Sequence, residues 1–189
     1  DADLDSNSDQ FLDVSNNKIT TTSGNNGLDL TADDRGPSAN DDVTISSNEI
    51  AGDGSNGGNG ITLAGNYSID IEDGSVDNVQ TGINLGTGDQ SAINVTGVTL
   101  TNITDAGGGT PVGVDATGDL AAGAQVTISD LTIDSSPNAD PGINVNSNNN
   151  DVTITGSSIN DTSAGIVISE VSDTAIISDT SVDNSAGTA

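Results

Sequence analysis

Apolar residues recur along this chain at fixed offsets: one, a second two places on, and a third seven places on. The pattern runs Leu12, Val14, Ile19; Val43, Ile45, Ile50; Ile69, Ile71, Val76; and Ile93, Val95, Leu100. It continues through Val126, Ile128, Ile133; Val152, Ile154, Ile159; and Ala175, Ile177, Val182. A second motif, Gly-apolar-x-apolar, follows each block: Gly27-Leu28-x-Leu30, Gly60-Ile61-x-Leu63, Gly82-Ile83-x-Leu85, Gly113-Val114-x-Ala116, Gly142-Ile143-x-Val145 and Gly165-Ile166-x-Ile168. A seventh opens at Gly187. Successive blocks begin 23 to 33 residues apart, so the strands are kept while the turns absorb insertions. An internal repeat of this length decides the architecture before local propensity does. It also spreads the surface along an axis instead of gathering it into one pocket.

Alternation with a period of two puts Val43 and Ile45 on one face of a strand and Thr44 on the other. Each apolar pair is then a short strand with one buried side. Ile50 and its equivalents supply a second strand, and the Gly-led motif a third. Three short strands per repeat predict one coil of a parallel β-solenoid, with like residues stacked in columns. Coils about 4.8 Å apart would make seven into a rod of roughly 34 Å. No segment repeats apolar residues at helical spacing, and Gly and Asn interrupt throughout. An antiparallel sandwich also has short strands and frequent turns, but it does not require constant offsets in every repeat.

The turns fit. Four residues after each first apolar position stands Asn16, Ser47, Asp73, Gly97, Asp130, Gly156 or Asp179, types that tolerate left-handed backbone. One place later come Asn17 and Asn48, then Gly74, Val98, Leu131, Ser157 and Thr180. In this order of apolar-x-apolar, polar turn, Asn, apolar and Gly-Ile-x-apolar, the chain resembles the parallel β-helix repeat family, the right-handed, pectate-lyase-like superfamily. The resemblance covers nearly the whole chain. It implies an all-β, right-handed single-stranded parallel β-helix of about seven coils, three short strands per coil. It also implies an inward Asn ladder, for which only Asn17 and Asn48 match. The superfamily holds lyases, hydrolases, adhesins, phage spikes and structural fibres, so it points to a fold more than to an activity. One elongated domain over residues 1–189 is expected, with inserted loops at 31–42, 53–59 and 104–111.

Charge narrows the function. Twenty-nine acidic residues face two basic ones, Lys18 and Arg35, for a net charge of −27. Such a field repels nucleic acid and anionic membranes. It strains the compact state by self-repulsion, which salt or divalent cations relieve. No apolar run approaches the roughly 18 residues that a membrane helix needs. The chain has no Cys and no His, which excludes disulfides, zinc-thiolate sites and a Ser-His-Asp triad. With no Met and a first residue of Asp1, it is expected to be a processed protein or a segment of a longer chain.

Several residue groups are candidate sites. Alternating Asp1, Asp3, Asp5 and Asp9 offer converging oxygens for calcium, although Ala2 and Leu4 also fit the Gly-led strand pattern, which would turn these aspartates to solvent. Asp33, Asp34, Asp41 and Asp42 form a second acidic group in one loop. Sequons at Asn66, Asn94, Asn102 and Asn160 are candidate glycosylation sites if the protein is secreted. The outward row of the Gly-led strands reads Asp3, Asp29, Thr62, Asn84, Asp115, Asn144, Val167. That of the first strands reads Asp13, Thr44, Asp70, Asn94, Thr127, Thr153, Ile176. Asp13 and Asp70, two coils apart or roughly 9.6 Å, sit near the upper limit for an inverting carboxylate pair. No aromatic platform accompanies them, since Phe11 and Tyr67 are the only rings. The Thr positions of that row are too irregular for an ice-binding face.

The expected function is therefore non-enzymatic: an extracellular or cell-surface structural or adhesive rod, a segment or subunit of a fibre or filament. No cofactor is required, and calcium is a candidate bridging ion. Expected partners are other copies joined head to tail through open solenoid ends, or flanking segments of the same chain. The alternative is a carbohydrate-active module that binds or cleaves a polysaccharide on a lateral face.

Overall fold

The computed structural model describes residues 11–22, 24–31, 42–54, 57–65, 67–86, 92–105, 108–117, 124–134, 140–146, 151–170 and 174–183. These are all-β: strands, numbered in chain order, and no helix among the described residues. The first strands of the repeats are β1 (Phe11–Ser15), β4 (Asp42–Ala51), β6 (Ser68–Asp77), β8 (Ala92–Thr101), β10 (Gln125–Ser129), β13 (Asp151–Thr155) and β16 (Ala175–Ser178). They lie side by side in that order, every neighbouring pair parallel. The second strands join the same sheet as β2 (Lys18–Thr20), β11 (Thr132–Asp134), β14 (Ser158–Asn160) and β17 (Ser181–Asp183). The Gly-led strands make a second parallel sheet: β3 (Leu28–Thr31), β5 (Asn59–Ala64), β7 (Thr81–Leu85), β9 (Val112–Ala116), β12 (Ile143–Asn146) and β15 (Ile166–Ser169). Parallel sheets with this regular stepping are compatible with a β-solenoid.

Register keeps each apolar column intact. Val14, Ile45, Ile71, Val95, Ile128, Ile154 and Ile177 are successive partners across the first strands. Leu28, Ile61, Ile83, Val114, Ile143 and Ile166 are partners in the second sheet. A slip of one residue would turn an entire column to solvent, so the hydrophobic pattern fixes the pairing. The interior residues of the middle repeats, such as Ile69, Ile93, Leu100 and Val145, are fully buried and form one continuous core. β-branched side chains suit these stacked columns because their restricted χ1 costs little on a pleated surface.

The corner position has left-handed backbone in every repeat: φ is 57° at Asn16, 53° at Ser47, 48° at Asp73, 67° at Gly97, 51° at Asp130, 61° at Gly156 and 50° at Asp179. In the second, third and fourth repeats hydrogen bonding runs through this corner, so the first and second strands fuse into ten-residue elements instead of standing as separate strands. The pairing skips only the corner residue: Ser46 partners Glu72 and Asn48 partners Gly74.

The Asn ladder exists where the sequence places it. Asn48, only 4% exposed, accepts at Oδ1 from Asn17 N (3.0 Å) and Asn17 Nδ2 (3.1 Å), and its Nδ2 donates to Val14 O at 2.7 Å. Gly74, the partner of Asn48 in the next repeat, ends it; buried Val98 and Leu131 follow, and Ser157 Oγ takes up part of the role by accepting from Leu131 N at 3.3 Å.

The Gly-led motif has a steric cause. A Cβ on Gly27, Gly60, Gly82, Gly113, Gly142 or Gly165 would collide with Ile50, Val76, Leu100, Ile133, Ile159 or Val182 in turn. Each of these is the second-strand residue of the following repeat. Glycine therefore lets consecutive repeats interlock across the core.

Candidate functional site

The two outward rows expected from the sequence are assembled by the sheets. In the first, Asp13, Thr44, Asp70, Asn94, Thr127, Thr153 and Ile176 are consecutive partners. In the second, Asp29, Thr62, Asn84, Asp115, Asn144 and Val167 are consecutive partners. Asp13 and Asp70 stand two strands apart with Thr44 between them, and Asp70 Oδ1 accepts a hydrogen bond from Asn94 Nδ2 at 2.7 Å. Asp29 Oδ2 accepts from Asn26 Nδ2 at 2.8 Å. Asp115 lies between Asn84 and Asn144, with Oδ1 shielded from solvent and unpaired.

Other candidates are more scattered. Asp1, Asp3, Asp5 and Asp9 lie outside the described residues, as do Asp33, Asp34, Asp41, Asn66 and Arg35. Asp42 opens β4 and partners Ser68. Among the described residues no three Asp, Glu, His or Cys side chains gather as metal ligands. Of the sequons, Asn94 lies within β8 and is bonded to Asp70. Asn102 is exposed at a φ of 50° and donates to Asp77 Oδ1 at 2.7 Å. Asn160 ends β14 and donates to Ser158 Oγ at 3.2 Å. Lys18 Nζ meets Glu49 Oε1 at 2.6 Å between two exposed side chains, a pair that contributes little in water.

Repeat offsets do not by themselves disclose which neighbours bond to the carboxylates. In no described strand pairing does one carboxylate face another. Asp70 lies between Thr44 and Asn94, Glu72 between Ser46 and Thr96, and Asp77 between Ala51 and Thr101. Two of these six neighbours donate: Asn94 to Asp70, and Thr101 Oγ1 at 2.6 Å to Asp77 Oδ1, beside the bond from Asn102. At the corner, Asp73, Gly97, Asp130, Gly156 and Asp179 alternate, and a Cβ at Gly97 or Gly156 would stand 2.5 Å from the Oδ1 of Asp73 or Asp130. Two unit charges about 4.8 Å apart in water repel by about 0.9 kcal/mol, and by half that at twice the distance, before screening. Interleaving acids with uncharged residues keeps like charges from facing one another as a chain of net charge −27 stacks in register. The outward rows read from the repeats already hold this spacing; only the bonds between neighbours needed the structure.

A second left-handed corner was also missed. Asn78, Asn102 and Asp161 have φ of 60°, 50° and 54°. Each stands two places after an inward residue: Val76, Leu100 and Ile159. That offset was present in the sequence.

Outward hydroxyls pair across strands. Thr96 Oγ1 and Ser129 Oγ are 2.9 Å apart, and Thr155 Oγ1 and Ser178 Oγ 3.2 Å apart. Comparison with models of known protein families, with curated proteins and with solved structures returns no match, so the residues alone carry the functional reading.

Proposed function

We propose that the chain winds as a right-handed, single-stranded parallel β-helix of about seven coils, with three strands per coil except where the first two fuse in the second to fourth repeats, forming one elongated domain over residues 1–189. We read it as a non-enzymatic structural or adhesive rod of an extracellular or cell-surface fibre. The observation that carries this is the unbroken parallel ladder from β1 to β16, in which every repeat adds one strand to the same edge. Such stacking gives length and stiffness with little core per residue. The carboxylates give solubility, and their abundance over two basic residues suits a saline or calcium-rich setting, outside the cell or in a salt-rich cytoplasm.

Assembly belongs to the same proposal. The apolar columns run on to Ile177 and Val182, which are 52% and 46% exposed, although their equivalents Ile154 and Ile159 are fully buried. The last described strands thus offer an apolar layer for further strands to cover, whether from flanking segments of the same chain or from another copy joined head to tail. Calcium at Asp1, Asp3, Asp5 and Asp9 is the proposed bridging ion for such joints. Negative-stain electron microscopy with calcium and with chelator tests it. Rods or filaments support the reading, and filaments lost in chelator support the bridging. Compact, isometric particles in both conditions would refute it. A second reading, glycan docking on a lateral face, is favoured by the hydroxyl pairs.

A further inference from the structure

Strands β8, β10, β13 and β16 present two outward columns side by side. One is Asn94, Thr127, Thr153 and Ile176; the other is Thr96, Ser129, Thr155 and Ser178. None of these residues is charged, in a molecule of net charge −27. The matching positions of β1, β4 and β6 hold Asp13, Asp70 and Glu72. Among the described residues of these strands and their corner, carboxylates return at the margins, with Asp151 opening β13 and Asp130 and Asp179 at the corner.

We propose that this face docks a neutral polysaccharide. The proposal deepens the second reading above and does not depend on the rod or on its assembly.

The hydroxyl pairs supply the chemistry. In each pair one hydroxyl spends its proton on the other, which leaves one free proton beside free lone pairs on two oxygens. The pairs are Thr96 with Ser129 at 2.9 Å and Thr155 with Ser178 at 3.2 Å. A vicinal diol of a sugar presents the same donor and acceptor set, so two hydrogen bonds form in a closed cycle. The pairs recur on alternate strands, roughly 9.6 Å apart, which suits a repeating polymer better than a single sugar. Asp151, Asp130 and Asp179 can accept sugar hydroxyl protons from the rim without a charge being buried. An anionic polymer would meet repulsion there and from the rest of the surface. With no aromatic side chain on the face, stacking adds nothing, and binding rests on many weak contacts along the polymer.

Affinity electrophoresis of the intact chain tests this, with soluble starch, dextran and hydroxyethylcellulose as neutral probes and alginate as the anionic one. The expected result is retardation by at least one neutral polymer. The double variant Ser129→Ala/Thr155→Val removes one hydroxyl from each pair and should lose that retardation while keeping the wild-type circular dichroism melt. Asp13→Ala/Asp42→Ala, on β1 and β4 in the other half of the sheet, should keep it. No retardation by any neutral polymer, retardation that survives the hydroxyl double variant, its loss in the aspartate variant, or retardation by alginate alone would each overturn the proposal. Microscopy judges the rod separately, so the two can fail independently.

Discussion

Thr44→Asp would place a third carboxylate between Asp13 and Asp70, making three consecutive acids in one column. Thr127→Asp is the same change in the same column, but its neighbours are Asn94 and Thr153. Both variants lose a β-branched residue from a strand, so that cost cancels in the comparison. What remains is charge. Thr44→Asp creates two contacts at about 4.8 Å, each worth about 0.9 kcal/mol of repulsion in water. Thr127→Asp creates none. The difference between the variants should be about 1–2 kcal/mol near 0.01 M salt, where the Debye length is about 30 Å, and should vanish near 1 M, where it is about 3 Å. Urea denaturation measures it, because urea leaves the charges unscreened. Millimolar calcium, an experimental addition on the order of the weaker extracellular sites, should restore Thr44→Asp selectively by bridging the new triplet. Equal destabilisation of the two variants, or a difference indifferent to salt, would refute the idea that spacing acids between uncharged residues lets these repeats stack.

Gly82→Ala should destabilise by about 1–3 kcal/mol, because the new methyl would stand 2.6 Å from Gly113 O and 2.9 Å from a Leu100 Cδ. Gly86→Ala meets nothing closer than the Leu63 carbonyl at 3.3 Å and should cost clearly less than Gly82→Ala; thermal melts of both check the pair. Asn48→Ala leaves Asn17 N and Val14 O without their partner, and equilibrium unfolding should report a loss of about 1–3 kcal/mol. Burial holds the Tyr67 phenol well above its ordinary pKa, and Asp29 pushes in the same direction. The folded state therefore keeps this proton where the unfolded state gives it up. Its contribution is full below about pH 10 and declines as pH rises towards the folded value, by at most about 1.4 kcal/mol per pH unit. Tyr67 is the only Tyr in a chain without Trp or Cys, so phenolate absorbance reports it alone. The absorbance should rise together with alkaline unfolding, and Tyr67→Phe should remove that component of the pH slope. A phenolate signal at ordinary pH in the folded protein would contradict the burial.

The sequence by itself determined which side chains face inward and which strands are equivalent. Offsets of two and seven are one-dimensional facts, and a period-two pattern admits only the register that buries Val14, Ile45 and Ile71 together. The left-handed corner from Asn16 to Asp179 was legible for the same reason, since its residue types answer a local backbone need. Tertiary structure decided what depends on the neighbour 23 to 33 residues away. Gly82 is required by the Gly113 carbonyl in the adjacent strand and by Leu100, not by its own φ. Ser47 and Asp73 turn without breaking β4 and β6, because hydrogen bonds to the adjacent strands carry the ladder past them. Asp70 is tolerated because Thr44 and Asn94 flank it across strands, and Thr96 finds Ser129 only through that lateral contact. Local conformation is written along the chain. Which charge meets which donor is settled only when loops of unequal length bring distant repeats to the same height.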